Sequence, residues 1–238
     1  MYRATIGVRS GTEEGVTKTV NGNGVDDVIS AVHDDMVFGQ LKPRERLVEL
    51  EMVQRYGAPR SVVRRALDEL EHRGVVSRQP NKGAEVHDFS QEEVYNICEV
   101  RVLLQERAAA TIPLPANPDW IAKLDRYQAE HAAAVERRDV EAAYRLNTAF
   151  HREFFSACPN RYLVGRIDEI TWLMDVVRSY RMLGPALNAR APREHREIID
   201  AASEGDRDKL VRLCIAHVPA AEEIYSRINA WSGRARQE

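Results

Sequence analysis

Asn147 and His151 stand four residues apart in the run 140–157. If that run is helical, both side chains leave one face, because residues i and i+4 stack one turn apart. His195 lies ten residues before the break Gly205-Asp206, and His217 lies eleven after it. In two antiparallel helices rising about 1.5 Å per residue, those two imidazoles reach nearly the same height. Three imidazoles and an amide oxygen on facing surfaces make a donor set for a divalent ion, Zn²⁺ or Ni²⁺. The same spacing also suits separate surface or core histidines, because nothing in it brings the two faces together. The other histidines, His33, His72, His87 and His131, have no partner at useful spacing and are expected at the surface.

A second group is cationic. Over 60–72 the apolar residues Val63, Ala66, Leu67 and Leu70 form an i, i+3, i+4, i+7 stripe, which leaves Arg60, Ser61, Arg64 and Arg65 on the adjoining exposed side. Guanidiniums at the start of a short helix suit a major groove, where arginine reads guanine edges or clamps phosphates. Lys82, together with Lys42, Arg44 and Arg46, extends this into a backbone-contacting footprint. A plain solvated basic face fits the same residues.

The elements that must position these groups fall into two kinds. Helical spacing predicts helices over 25–38, about 47–56 and 60–72, with Gly57 and Gly74 as stops, then a hairpin across VVSRQPNKGAEVHDF. From Ser90 onward long helices are expected over 91–110, 118–137, 140–157, 162–182, 192–203 and 206–231. Ser90 with Glu93 has the spacing of a capping box. The fold class is therefore mainly α: three short helices and a small β-hairpin, followed by an all-helical bundle. The expected organisation is a flexible tail at 1–24, one domain over 25–89, a second over 90–231 and a short tail at 232–238.

Composition bounds the rest. In 238 residues, 44% hydrophobic and 30% charged, there is enough apolar material for a core, which excludes a disordered, collagen-like or disulfide-stapled chain. A net charge of -3 requires any positive surface to be local and speaks against a protein that coats DNA. Cys98, Cys158 and Cys214 are odd in number and far apart, as in a reducing compartment. No apolar run is long enough for a membrane span, and the start of the chain lacks the apolar core of a secretory signal. The expected location is the cytoplasm, with no membrane partner.

The run Leu41-Lys42-Pro43-Arg44-Glu45-Arg46-Leu47, then Tyr56-Gly57-Ala58-Pro59-Arg60-Ser61-Val62-Val63-Arg64-Arg65-Ala66-Leu67, then Gly74-Val75-Val76 and Pro80-Asn81-Lys82-Gly83-Ala84-Glu85-Val86, resembles the winged helix-turn-helix of the GntR family of bacterial transcription regulators. The likeness covers 25–89. It implies that Arg60 and Arg64 are the base- and phosphate-contacting pair, that Ser61 touches phosphate, and that Lys82 with Gly83 forms the wing tip at the minor groove. Three positions depart from the family: Arg44 stands where glycine is usual, Pro59 where serine or threonine is usual, and Arg65 where glutamate is frequent. Pro59 has no side-chain oxygen to cap a helix, so its fixed φ must hold the turn instead. Arg44 and Arg65 add positive charge to the same surface.

The segment 89–231 is similar to the FCD ligand-binding domain of the FadR-type branch, through Glu99-Val100-Arg101, Asn147 to His151 as N-x-x-F-H, Asn160-Arg161-Tyr162-Leu163, Glu194-His195, and Gly205-Asp206 followed by His217. That resemblance implies a divalent metal held by Asn147, His151, His195 and His217. An amide in place of a carboxylate leaves the ion's charge uncompensated, which favours an anionic effector, a small organic acid, on the open coordination positions. Arg101 can clamp its carboxylate bidentately or pair with a neighbour such as Glu106. The expected function is a metabolite-responsive regulator, bound as a homodimer to a pseudo-palindromic double-stranded operator. The competing class is a metal-dependent enzyme using the Asn and His set, and against it no H-E-x-x-H or G-x-S-x-G motif is present.

Overall fold

The computed structural model describes residues 24–79, 83–179 and 185–218. The expected tails, save Gly24, the tip of the hairpin with Lys82, and the expected helix beyond Val218 lie outside these residues. Contacts divide the chain into two compact units, one taking the residues through His33 with Arg44–Val86, the other Asp34–Pro43 with the chain from His87.

The helix α1 (Val25–Val37) runs through His33 in the first unit, where Val28, Ile29 and Val32 turn into the core. Then come β1 (Arg46–Leu47), α2 (Glu49–Tyr56), α3 (Arg60–His72), β2 (Val76–Gln79) and β3 (Gly83–Val86). Gly57 closes α2 in the left-handed conformation, φ 63°, and three residues later α3 starts. Pro59 sits at the N-cap of α3 with φ −58° and supplies no side-chain cap; its carbonyl accepts the N–H groups of Val62 and Val63. The cap is therefore made by backbone alone. Below it, Val63, Ala66, Leu67 and Leu70 are all buried.

The sheet is larger by one strand than the hairpin that the sequence predicts. Its order is β1-β3-β2, both pairings antiparallel, with Arg46 opposite Glu85 and Leu47 opposite Ala84. Leu47 therefore belongs to a strand rather than to the start of the second helix, and Val48 is the N-cap of α2. Two residues are too few to show an alternating pattern, so only pairing with β3 reveals β1.

Arg44 takes φ 65°. An L side chain there costs about 1–2 kcal/mol, which glycine avoids. Arg44→Gly is therefore expected to raise stability by about 1 kcal/mol, part of the gain being returned by the looser unfolded chain. Urea unfolding measures it; a destabilised variant would show that contacts of the Arg44 side chain outweigh the backbone strain.

The second unit is helical: α4 (Gln91–Ala109), α5 (Pro118–Glu136), α6 (Val140–Ser156), α7 (Arg161–Ser179), α8 (Pro185–Glu204) and α9 (Arg207–His217). Local chemistry marks most starts. Ser90 Oγ accepts the Glu93 N–H at 3.2 Å while the Glu93 carboxylate accepts the Ser90 N–H at 2.8 Å, the reciprocal box expected. Asn117, Asp139 and Asp206 cap α5, α6 and α9. The helix expected to begin at Pro192 begins instead at Pro185 and carries Pro192 inside it. Proline suits the first turn, which made Pro192 look like a start; inside a helix it forfeits one backbone bond and crowds the carbonyl four residues back, a cost of about 3 kcal/mol that the rest of the fold must offset. In α5–α9, α5 packs on α6 and α8, and α8 packs on α9, while α4 packs on α7 and α9. Phe150, Phe154, Phe155, Leu124, Ile198 and Leu210 fill the core between them.

Cys98, Cys158 and Cys214 are all free and buried. Burial pushes the Cys214 thiol up to about 12. The folded protein at pH 8 is therefore expected to resist an aromatic disulfide reagent, all three thiols reacting only after unfolding; rapid labelling of Cys214 in the native state would contradict this.

Candidate DNA-reading helix and histidine cluster

On α3 the side chains of Arg60 and Arg64 are 73% and 67% exposed. Ser61 and Arg65 beside them are exposed too, as are Arg44 and Arg46. Arg60 and Arg64 share one counter-ion on α2: Glu49 accepts from Arg60 Nε at 2.8 Å and lies 3.7 Å from Arg64 Nε. The carboxylate points both guanidiniums the same way. Being exposed, these pairs contribute little to stability, so the arginines can be released to another anion at small cost. Gly83 opens β3 with φ 82° and lines the same open groove as Glu49 and Arg60, within the first unit. Lys82, named with it, lies outside the described residues.

In the second unit, three histidines from three helices converge: His151 on α6, His195 on α8 and His217 on α9. Their ring centroids are 4.8 to 5.1 Å apart. One nitrogen from each lies within 4.8 Å of the other two, and Nε2 of His217 is 3.1 Å from Nε2 of His151. In a tetrahedral site with Zn–N of about 2.0–2.1 Å, ligand nitrogens stand about 3.3 Å apart, a spacing the His151–His217 pair already has and to which His195 would have to be drawn. Its surroundings favour neutral rings. His195 is fully buried and neither ring nitrogen makes a hydrogen bond; burial, then His217 and His131, push its pKa down. A buried imidazole with both nitrogens unsatisfied is costly unless something outside the protein's own groups occupies one. Phe150 stacks on the His195 ring at 3.9 Å and 14°, fixing its plane.

His217 is held differently. Its Nδ1–H donates to Glu194 at 2.7 Å, and its Nε2 faces His151. Burial alone would raise the Glu194 carboxyl, but the hydrogen bond from His217 and the nearby charges, Arg190 and Arg193 among them, hold it below its usual value. Glu194 thus stays ionised and fixes the His217 tautomer. Asn147, half-buried on α6, lies one turn before His151.

Arg101 is 2% exposed, its Nε and Nη1 buried without hydrogen bonds, and Glu106 is exposed. Along α4 it falls on the stripe Val94, Cys98, Arg101, Gln105, Ala108, so a guanidinium and an amide sit in an otherwise apolar row. The sequence reading passed over Gln105, and it misplaced two histidines. His33 and His131, expected at the surface, are buried. The signal was present: His33 is four residues after Ile29, and His131 shares the stripe of Leu124 and Ala134. The His131 ring lies 5.1 Å from that of His195, and burial, then His217, push its pKa down to about 4.

Comparison with known proteins agrees with this architecture. Residues 25–86 match the model of the bacterial regulatory proteins of the gntR family, and residues 96–220 match that of the FCD domain. The chain is 25% identical over 185 residues to the HTH-type transcriptional regulator YdhC of Bacillus subtilis, covering 76% of this chain and 82% of that one. It is 22% identical to the HTH-type transcriptional repressor RspR of Escherichia coli, covering 82% and 85%. Among solved structures, E. coli McbR/YncC superposes with a TM-score of 0.72 at 20% identity, over 89% of this chain and 98% of that one. These families and relatives are regulators and not enzymes, which removes the metal-dependent enzyme reading. Among the described residues no helix is long and apolar enough to cross a membrane.

Proposed function

This chain belongs to the bacterial gntR-family regulators that carry an FCD domain, a DNA-binding class, and we propose from that premise that it binds a pseudo-palindromic operator as a homodimer under control of a small organic acid. The observation that carries the proposal is the convergence of the part-buried His151 and His217 on the buried His195, with both His195 nitrogens unsatisfied. His151, His195, His217 and Asn147 would hold a divalent ion, zinc or nickel, which when bound supplies an electrophilic centre for a carboxylate oxygen. Arg101, buried on α4, supplies a second, cationic contact for the same carboxylate. On α3, Arg60 and Arg64 meet bases and phosphates, Ser61 and Arg65 the flanking backbone, and Arg44, Lys82 and Gly83 complete the footprint. Tyr95 and Leu103 leave apolar surface exposed on α4 that a second copy can cover.

Control follows from linkage. An acid that binds better to one arrangement of the dimer shifts operator affinity by the ratio of its two affinities, and DNA shifts acid affinity by the same factor. Calorimetric titration of small carboxylic acids into metal-loaded and metal-stripped protein tests the site: heat is expected only from the loaded form, and equal affinity in both forms would overturn it. Sedimentation of the protein with and without a fragment of its own promoter tests the dimer.

A further inference from the structure

The ligand candidates are not equally supported from behind. A metal-binding imidazole ordinarily gives its second N–H to an outer acceptor, which sets the tautomer and the ring direction. For His217 that acceptor is Glu194, at 2.7 Å. For His195 no carboxylate plays the part: both nitrogens are sealed from solvent and make no hydrogen bond. An ion accounts for one of them and leaves the other.

Among the described residues, the other fully buried side-chain atoms without a hydrogen bond are two Arg101 nitrogens and Nδ1 of His131. The arginine nitrogens carry only donors, so they cannot receive an N–H from His195. A neutral imidazole can, through its unprotonated nitrogen. The two rings are close, with centroids 5.1 Å apart and planes 39° apart, a spacing equal to that between His151 and His195. The final torsion of a histidine is soft, so a modest rotation of the His131 ring turns its nitrogen toward His195. α5, which carries His131, packs directly on α8, which carries His195.

We propose that His131 is the outer partner of His195, its Nδ1 accepting the N–H of the His195 nitrogen that faces away from His151 and His217. The inference rests on the metal-site reading above. It makes His131 a positioning residue, playing for His195 the part that Glu194 plays for His217. Without it His195 can adopt the tautomer that turns an N–H, not a lone pair, toward the ion.

The test uses the full-length protein, with Zn²⁺ affinity measured by competition with a chromophoric chelator and the ligand field read from the visible spectrum of the Co²⁺ form. His131→Leu fills the volume but accepts nothing. Its stripped form is expected to melt only a few degrees below the parent, since the apolar side chain keeps the packing and only the acceptor of the His195 N–H is lost. Its Zn²⁺ affinity is nevertheless expected to fall about 10–100-fold, with a changed Co²⁺ spectrum. His131→Gln, whose amide oxygen accepts, is expected to recover most of the loss. A merely structural role would leave the Co²⁺ spectrum as it is in the parent. If His131→Leu binds Zn²⁺ within about twofold of the parent while His151→Ala does not bind, the assignment of His131 is overturned and the metal site stands. If His151→Ala binds as well as the parent, the metal site itself falls, and this assignment with it. Should His131→Leu not fold, nitrogen NMR of the zinc-loaded parent decides, because a protonated Nδ1 on His131 overturns the proposal.

Discussion

The double variant Arg60→Ala, Arg64→Ala is expected to lose about a hundredfold to ten-thousandfold in affinity for its own promoter fragment at fixed salt, while folding as the parent does. Each arginine contact to a base edge is worth about 1–3 kcal/mol, and the two side chains share one exposed surface of α3. Folding should be spared because both side chains project from the core stripe Val63, Ala66, Leu67 and Leu70, and their pairs with Glu49 are exposed. The salt dependence separates two roles. If both guanidiniums sit on phosphates, the slope of log affinity against log salt shrinks by about 2, and binding weakens on every sequence alike. If they read bases, the slope changes less and discrimination against unrelated DNA collapses. Fluorescence anisotropy across a salt series measures both, and parental affinity in the folded double variant would remove the α3 surface from the DNA interface. Glu49→Gln is the control from the other partner: with the counter-ion gone, non-specific binding should rise severalfold, since each arginine no longer exchanges one anion for another.

How much of this was legible beforehand depends on the range of the signal. The α3 stripe, the Gly57 stop and the Ser90 box are each written within one short run of chain, and each appears where its spacing places it. The levelling of His195 with His217 is also local arithmetic, because a single tight turn at Gly205-Asp206 separates the two helices. What brings His151 to them is not local: it depends on α5 lying against both α6 and α8, which no spacing encodes. β1 is invisible for the same reason, being defined by a partner about forty residues away. His131 and Gln105 are a different kind of miss. Each occupies an apolar stripe at helical spacing, and a charged or polar type on such a stripe is itself the anomaly worth following. Residue type led the sequence reading to the surface for His131, whereas position along the helix pointed to the core.

Removing one ligand of the histidine cluster should have the second large effect, and stability should report it. A ligand that binds only the folded state stabilises it by about 4 kcal/mol when present at a thousand times its dissociation constant. For a chain of this length that amounts to a rise of about 8–16 °C in melting temperature on adding Zn²⁺ or Ni²⁺ to stripped protein. His151→Ala and His217→Ala should each abolish the rise, because two imidazoles and an amide hold such ions far more weakly than three imidazoles do. The stripped variants should melt near the stripped parent, since each loses only a part-buried ring; His217→Ala also frees Glu194, which Arg190 still faces at 2.6 Å. The metal effect must also fade in acid. Each ligating imidazole has to be unprotonated and an ordinary imidazole protonates near pH 6.5, a value that burial lowers for His195, so protons compete with the ion as pH falls. The sign is fixed: the rise is full above about pH 7 and shrinks as pH falls, while a shift unchanged between pH 7.5 and 5.5 would mean that the ion sits on carboxylates elsewhere. Scanning fluorimetry of parent and variants, with and without metal at the two pH values, decides between a histidine-held ion that stiffens the bundle and a cluster of rings that is only core.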